Sequence, residues 1–286
     1  MIPDFELIKE LFDLPGSDAN GNGTHATNGK QGRNREESSQ LGKSALNEGD
    51  YESAVQHFKR AVEQSDEKSP WVLMDLGAAY ATAGNVPQAF RQYEKAKRVQ
   101  KSGELMVALA SLYQQVGRSK DAISRLKEAA ELEPQSAYVH YKLAEGLRKA
   151  GYKTEAIDAA QVAIACAPDQ SFYHYWLGEF YLSLGQFQNA VDSLHAAIEL
   201  SPGDDNLYFL VSQAFWGLDK KQEAIRSIRL ASDIDTANML YHGLLERYLR
   251  SSGMTVEADQ ELNRASKMDL YDQEMLGRVA SKFQFR

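Results

Sequence analysis

The chain has 286 residues and a formal net charge of −8, and it is 43% hydrophobic and 25% charged. This composition is typical of a soluble globular protein, and the negative charge argues against general nucleic-acid binding, which needs clustered lysines and arginines. No apolar run approaches the length of a membrane span, and a single cysteine, Cys166, excludes an internal disulfide or a cysteine-based zinc cluster.

The N-terminus lacks a basic region followed by an apolar core, so we predict no secretory signal and a cytoplasmic location. Residues 2–14 instead form a short amphipathic, largely acidic segment. One helical face is shared by four of its apolar side chains, Phe5, Ile8, Leu11 and Phe12. An isolated helix this short is marginal in water, so we expect the segment to order against a partner. Three interpretations remain open: a cap on the helices that follow, an engineered fusion segment, or a tethered motif that binds within its own chain or to another molecule.

The next stretch, residues 16–34, is rich in glycine, asparagine and threonine and has no apolar residue larger than alanine. Such a composition predicts a flexible linker. We therefore assign residues 1–34 to a flexible N-terminal arm.

An internal repeat organises the chain from residue 35 onward. Two alanine series, seven residues apart, recur at steps of 33 to 35 residues, and a series of glycines with one aspartate precedes them. The first alanine series is Ala54, Ala89, Ala122, Ala156, Ala190, Ala224 and Ala258, and the second is Ala61, Ala96, Ala129, Ala163, Ala197, Ala231 and Ala265. The third series is Gly49, Gly84, Gly117, Gly151, Gly185, Asp219 and Gly253. Glycine suits a helix C-terminus because it tolerates positive φ, and alanines seven apart lie on one helical face. Each copy is therefore predicted to be a helical hairpin.

The repeat predicts an all-α fold, because apolar residues recur at three- and four-residue steps and strand signals are nearly absent. The seven predicted copies span residues 35–69, 70–102, 103–136, 137–170, 171–204, 205–238 and 239–269. After them, Leu276, Val279, Ala280 and Phe283 match the core spacing of another first helix. Residues 270–286 are therefore predicted to be a capping helix that covers the last apolar face.

This 34-residue helix–turn–helix pattern closely resembles the tetratricopeptide repeat family. The fifth copy shows the motif best, with Leu177, Gly178, Tyr181, Gly185, Ala190, Ala197 and Pro202. The chain departs from the motif at Ala45, Leu147 and Glu246, where the family has a tyrosine or a small residue. The resemblance implies a right-handed superhelical α-solenoid that acts as a non-catalytic protein-interaction scaffold. It also implies that one face of each first helix lines a concave, ligand-binding surface.

Aromatic residues concentrate on this face in the middle copies. The predicted peptide-binding residues are Trp71, Met74, Tyr138, Tyr141, Glu145, Arg148, Phe172, Tyr175, Glu179, Phe209, Gln213 and Trp216. The expected ligand is a peptide or short helix with apolar or aromatic anchors, because a contiguous exposed apolar patch usually binds something. The alternative is that the rings fill space between copies. If they are surface residues, Tyr141 and Tyr175 should be replaceable by alanine with little loss of stability.

A second function also remains open, that of a recruitment or regulatory domain of an enzyme system. Such a domain would bind a peptide or carbohydrate, with catalysis in another chain or a missing region. A pocket for the C-terminal carboxylate of chaperones is not predicted, because the third copy offers Glu104, Val107 and Ala108 where the family's carboxylate-binding repeats carry basic residues.

The histidines do not indicate catalysis. His140, His174 and His242 occupy the same core position of their copies, which separates them along the chain. The chain also has no G-x-S-x-G or H-E-x-x-H motif. We therefore predict no enzyme, no metal and no cofactor, and a protein or peptide as the partner, with the oligomeric state left open.

Overall fold

The computed structural model describes residues 29–65 and 69–266, with side chains from residue 34 onward. These ranges contain fourteen α-helices and no strand, which confirms the predicted all-α fold. The chain divides between Pro134 and Gln135 into two compact units. The first unit holds α1 (Gly29–Asn47), α2 (Tyr51–Glu63), α3 (Pro70–Thr82), α4 (Val86–Val99), α5 (Gly103–Gln115) and α6 (Ser119–Leu132). The second unit holds α7 (Ala137–Lys149), α8 (Lys153–Cys166), α9 (Ser171–Ser183), α10 (Phe187–Leu200), α11 (Asp205–Gly217), α12 (Lys221–Ile234), α13 (Met239–Ser251) and α14 (Thr255–Ser266).

Consecutive helices pair into hairpins, α1 with α2 through to α13 with α14. Within each unit the second helix of a hairpin also packs on the first helix of the next one, as α2 does on α3 and α10 does on α11. Each unit is therefore a stack of hairpins. No helix in the described ranges combines the length and the apolar character needed to cross a membrane.

The two alanine series form the contact surfaces between helices. All fourteen of these alanines are buried, with at most 3% of their surface exposed. A methyl side chain lets two helix backbones approach closely, whereas a larger side chain at the same place would hold them apart. The repeat of alanines along the sequence is therefore a repeat of close helix contacts.

The third series forms the turn inside each hairpin. Its six glycines have φ between 70° and 88°, and Asp219 adopts φ 58° in the remaining hairpin. In the fifth hairpin the amide of Gly185 donates to the carbonyl of Leu182 at 3.0 Å, and the amide of Gln186 donates to that of Tyr181 at 3.0 Å. These bonds satisfy the last carbonyls of the helix and require a left-handed residue between them.

A small residue in the first helix of a hairpin lets the second helix pack closely against it. A Cβ added to Gly178 would lie 2.6 Å from Cγ of Leu194. Glu246 replaces this small residue in the last hairpin, and its carboxylate accepts a hydrogen bond from Arg250 Nε at 2.6 Å. The departure from the motif is therefore accommodated locally.

The first helix begins at Gly29, so it includes the last six residues of the predicted flexible arm, 29–34. Lysine, glutamine and arginine in this stretch are good helix formers, whereas glycine is a poor one. Residues 2–14 and 270–286, the predicted amphipathic segment and capping helix, lie outside the described residues, and both assignments stay predictions.

We expect Gly185→Ala to lower the free energy of unfolding by about 1–2 kcal/mol, because an L-residue is strained in the left-handed conformation. Gly203→Ala is the matched control, since Gly203 has ordinary φ and nothing within 4 Å of an added Cβ. Urea unfolding of the two variants checks this. Equal unfolding midpoints would contradict the role given to the turn.

Candidate peptide-binding face

Helices α7 and α9 are first helices of successive hairpins in the second unit, and both carry aromatic residues three or four positions apart. Side chains at such intervals share one side of a helix. We call the resulting surface the aromatic face. It is formed by Tyr138, Tyr141 and Arg148 of α7 and by Phe172, Tyr175, Trp176 and Glu179 of α9.

Tyr141 lies at the centre of this face and is only 6% exposed. Its ring centroid lies 5.0 Å from that of Phe172 and 5.4 Å from that of Trp176, both edge to face. It also lies 6.1 Å from the ring of Tyr173. Edge-to-face contacts between buried rings add to the stability gained from burial alone. The expectation that Tyr141 is a replaceable surface residue is therefore wrong, because its ring fills the space between α7 and α9.

The accessible part of the face lies above this buried ring. Phe172 is 37% exposed, Tyr138 and Tyr175 are half-buried, and Glu179 is exposed. Burial and the carboxylate of Glu179 raise the pKa of Tyr175, so its hydroxyl remains protonated at neutral pH. The surface thus combines apolar rings with a hydroxyl that can donate a hydrogen bond.

Arg148 supplies the positive charge of the aromatic face. Its guanidinium carbon lies 5.6 Å from the ring centroid of Trp176 and 5.9 Å from that of Phe180. These distances are typical of cation–π contacts. The side chain is exposed, and a guanidinium stacked on a ring keeps the N–H donors at its edge accessible to a carboxylate or carbonyl.

Three family models, each described as tetratricopeptide repeat, match residues 45–111, 107–171 and 171–204. Together they span residues 45–204. The chain belongs to the tetratricopeptide repeat family. Whether the hairpins outside that span are also copies of the motif stays a prediction. A search of curated proteins finds no match.

Solved structures support the same fold. The crystal structure of MamA is 29% identical, with a TM-score of 0.51 over 57% of this chain and 96% of that one. The C-terminal part of a tetratricopeptide repeat-containing protein from Cytophaga hutchinsonii has a TM-score of 0.66 at 14% identity, over 86% and 99% of the two chains. A tetratricopeptide repeat protein from Parabacteroides merdae has a TM-score of 0.56 at 17% identity, over 87% and 98%. The chain is thus an α-solenoid of helical hairpins, and its family indicates a protein-interaction scaffold.

Glu145, a predicted polar anchor on α7 of this tetratricopeptide array, is already bound within the chain. Its carboxylate lies 3.2 Å from Nζ of Lys142 and 2.6 Å from Nζ of Lys149. Burial alone would raise the pKa of Glu145, but the two lysines outweigh that effect and lower it. The carboxylate of Glu145 therefore neutralises these two lysines. It is not free to serve as an anionic anchor for a ligand.

The predicted residues of α11 are mainly packing residues. Phe209 is 7% exposed, and its ring centroid lies 5.4 Å from that of Tyr241. Trp216 stacks on Tyr248 with centroids 4.0 Å apart and planes inclined by 3°. Gln213, which lies between Phe209 and Trp216 along α11, is half-buried. Here the rings largely fill the space between α11 and α13, as the alternative interpretation of the sequence anticipated.

Two predicted residues belong to α3 in the first unit. Trp71 is 51% exposed, whereas Met74 is buried. Of the predicted set, only Trp71 offers a large accessible ring in this unit.

Sequence reasoning missed Trp176 and Phe180, which support Arg148. The signal was present, since Phe172, Trp176 and Phe180 follow one another at intervals of four residues. Trp176 lies one residue past the position that the repeat assigns to the concave side, so the repeat alone does not single it out. The contact with Arg148 also joins two different tetratricopeptide copies, which the phasing of one copy does not reveal.

A serine, a histidine and a glutamate lie close together in the last two hairpins, where the serine and the histidine are buried. Nδ1 of His242 lies 3.2 Å from the carboxylate of Glu261, and its Nε2 lies 3.2 Å from the carbonyl of Thr236. Ser232 Oγ is 3.3 Å from Nδ1. His242 and Ser232 are both buried, so a substrate has no access, and this network links α12, α13 and α14. Tetratricopeptide repeats are typically non-catalytic, and within the described ranges no group of three histidine, cysteine or acidic side chains is arranged to hold a metal.

We expect Tyr141→Ala to lower the free energy of unfolding by about 3 kcal/mol, because it leaves a cavity among buried rings. Phe172→Ala, at the accessible edge of the same cluster, should cost about 1 kcal/mol. Urea unfolding monitored by circular dichroism measures both. If Tyr141→Ala costs no more than Phe172→Ala, the ring is not a core element.

We expect Glu145→Gln to destabilise the chain by about 1–2 kcal/mol at pH 7, because two charged hydrogen bonds are lost. A lowered pKa in the folded state contributes stability above the unfolded carboxylate pKa, and that contribution disappears as the pH falls through the folded pKa. The difference from wild type should therefore shrink in acid. Glu199→Gln, an exposed site on α10, is the control, and a difference independent of pH would contradict the assignment.

Proposed function

We propose that this tetratricopeptide repeat protein binds a peptide or short helix with apolar or aromatic anchors on the aromatic face. The supporting observation is that Phe172 remains 37% exposed on top of a buried cluster of rings. The cluster holds the exposed ring in place before a partner arrives. A partner that inserts an apolar side chain beside Phe172 therefore gains contact area with little ordering cost on this side.

Polar groups around Phe172 would orient the ligand. Arg148 offers N–H donors, Glu179 offers an exposed carboxylate, and the hydroxyl of Tyr175 can donate a hydrogen bond. A ligand that matches them presents an acceptor near Arg148 and a donor near Glu179. Buried members of the predicted set, such as Tyr141 and Phe209, support the surface instead of contacting the ligand.

The expected affinity is moderate. A peptide that buries roughly 600 Å² of apolar surface gains on the order of 15 kcal/mol before costs. Lost translational, rotational and chain freedom offset most of this gain, so micromolar binding is expected.

Residues 2–14 are one candidate ligand, in the same chain or in another copy. Their apolar residues Phe5, Ile8, Leu11 and Phe12 supply anchors of the required kind, and their acidic residues match the charge of Arg148. A synthetic peptide of residues 1–14 tests this directly, because it can be added to a chain that lacks those residues.

We expect peptides selected from a random 12-residue library on the full chain to share an aromatic or bulky apolar anchor. Phe172→Ala should weaken their binding at least tenfold, which corresponds to about 1.4 kcal/mol, measured by isothermal titration calorimetry. The 1–14 peptide is titrated in the same way into the chain without residues 1–14.

Tyr152→Ala is the matched control, because Tyr152 is 44% exposed but lies in the turn between α7 and α8. Selected peptides that bind Phe172→Ala as tightly as wild type would overturn the proposal. Binding of the 1–14 peptide that Phe172→Ala leaves unchanged would remove only that segment as the ligand.

A further inference from the structure

The accessible groups of the aromatic face rest on a layer of buried rings. Tyr141 and Trp176 are each only 6% exposed, whereas Phe172 is 37% exposed. The ring of Tyr141 lies edge to face with both, 5.0 Å from the centroid of Phe172 and 5.4 Å from that of Trp176. The guanidinium carbon of the exposed Arg148 lies 5.6 Å from the ring centroid of Trp176. Phe172 and Arg148 are therefore two accessible groups that one set of buried rings holds in place.

Arg148 is an arginine without a carboxylate partner in the described part of the chain. Lys149, the next residue of α7, does have one, since its Nζ lies 2.6 Å from the carboxylate of Glu145. Contacts with the rings of Trp176 and Phe180 already position the guanidinium of Arg148. A positioned guanidinium loses less freedom when it donates two N–H bonds to a carboxylate. Arg148 therefore offers a position for a carboxylate of the ligand.

The separation between Phe172 and the guanidinium of Arg148 sets a spacing in the ligand. Phe172, Trp176 and Phe180 follow one another along α9 at steps of four residues, and each step covers about 6 Å of helix. The guanidinium carbon lies 5.6 Å from the ring centroid of Trp176 and 5.9 Å from that of Phe180. It is therefore level with the stretch between those two rings, about 9 Å along the helix axis from Phe172.

An extended peptide matches this separation with two side chains three residues apart. Polyproline II has three residues per turn and a rise of about 3.1 Å per residue, so such side chains lie on one side of the peptide about 9 Å apart. In a β-strand they would point to opposite faces. An α-helix covers the distance only between positions about seven residues apart, and isolated helices of that length are marginal in water. The extended peptide therefore fits with the shortest ligand segment.

We propose that the aromatic face binds an extended acidic peptide in which an aspartate or glutamate lies three residues from an aromatic or bulky apolar anchor. The anchor packs beside Phe172, and the guanidinium of Arg148 donates two hydrogen bonds to the carboxylate. A C-terminal carboxylate is usually held by a nest of backbone N–H groups, whereas the donor here is one exposed arginine, so the carboxylate belongs to a side chain. This inference rests on the proposed function, because it names the class of peptide that the same face binds.

The test uses the full chain and two peptides that differ only in charge. The first, acetyl-Asp-Pro-Ala-Phe-Ala-Pro-Asp-amide, has a carboxylate three residues from the phenylalanine on either side, and its prolines favour the extended conformation. The second has asparagine in place of both aspartates. Dissociation constants come from NMR titrations that follow backbone amide signals of α9. We expect the aspartate peptide to bind wild type at least fivefold more tightly than the asparagine peptide.

Two further peptides test the position and the source of the carboxylate. Acetyl-Pro-Ala-Asp-Phe-Asp-Ala-Pro-amide has the same composition as the first peptide, but its carboxylates are too close to the anchor to reach Arg148. It should therefore bind no more tightly than the asparagine peptide. Acetyl-Ala-Phe-Ala-Pro-Ala with a free C-terminus carries only a terminal carboxylate, and it should bind more weakly than the first peptide.

Variants of the chain test the residue that selects the carboxylate. Arg148→Gln should bring the aspartate and asparagine peptides to within twofold of each other. Arg148→Lys should keep less than half of the preference, because an ammonium neither stacks flat on a ring nor offers paired donors. Arg226→Gln is the matched control, since Arg226 is an exposed arginine on α12 of the same unit, and it should leave the preference unchanged. Phe172→Ala should weaken both peptides alike.

Equal binding of the aspartate and asparagine peptides to wild type would overturn this inference, and so would an aspartate peptide that does not bind at millimolar concentration. If the two peptides bind equally and Phe172→Ala weakens both, the proposed function stands alone. A preference that survives Arg148→Gln, or that Arg148→Lys leaves intact, would also overturn the inference, as would equally tight binding of either further peptide. Binding that Phe172→Ala leaves unchanged would overturn both the inference and the proposed function.

Discussion

The close approach of the two helices in each hairpin is the constraint on which the rest of the structure depends. It depends on small residues at the helix contacts, and the two alanines of the second helix are buried in every described copy. Once the backbones are this close, the turn between them must reverse the chain within a few residues, which explains the left-handed residue at its start. The first helices then stand side by side, and the residues between them determine whether a face is filled or open.

This dependence explains why the two units present different surfaces. In the second unit, large rings fill the space between first helices, so Tyr141 is buried and Phe172 remains partly accessible. In the first unit, the corresponding helices carry Asp75 and Glu104, which cannot pack as rings do. The same backbone arrangement therefore supports an apolar surface in one unit and an acidic one in the other.

Much of the fold could be predicted from the sequence, because alanines and turn glycines recur at a fixed step and each has one physical role. The first-helix faces were also predictable, since helical periodicity alone places Phe172, Tyr175 and Glu179 together. Helical periodicity alone does not determine how exposed each ring is. The burial of Tyr141 depends on Phe172 and Trp176 in the next copy, and the neutralisation of Glu145 depends on rotamers of Lys142 and Lys149.

The pairing of each helix with its neighbours in sequence has a consequence for how the chain opens. Because most contacts within each unit are between adjacent helices or between neighbouring hairpins, a terminal hairpin can separate without disrupting the contacts of hairpins further along the stack. Amide hydrogen exchange in such an array is graded, with slow exchange towards the middle of a unit and faster exchange at its ends. A ligand that bridges α7 and α9 would slow exchange mainly in those helices and in the helices paired with them. It would therefore stabilise the first hairpins of the second unit against local unfolding.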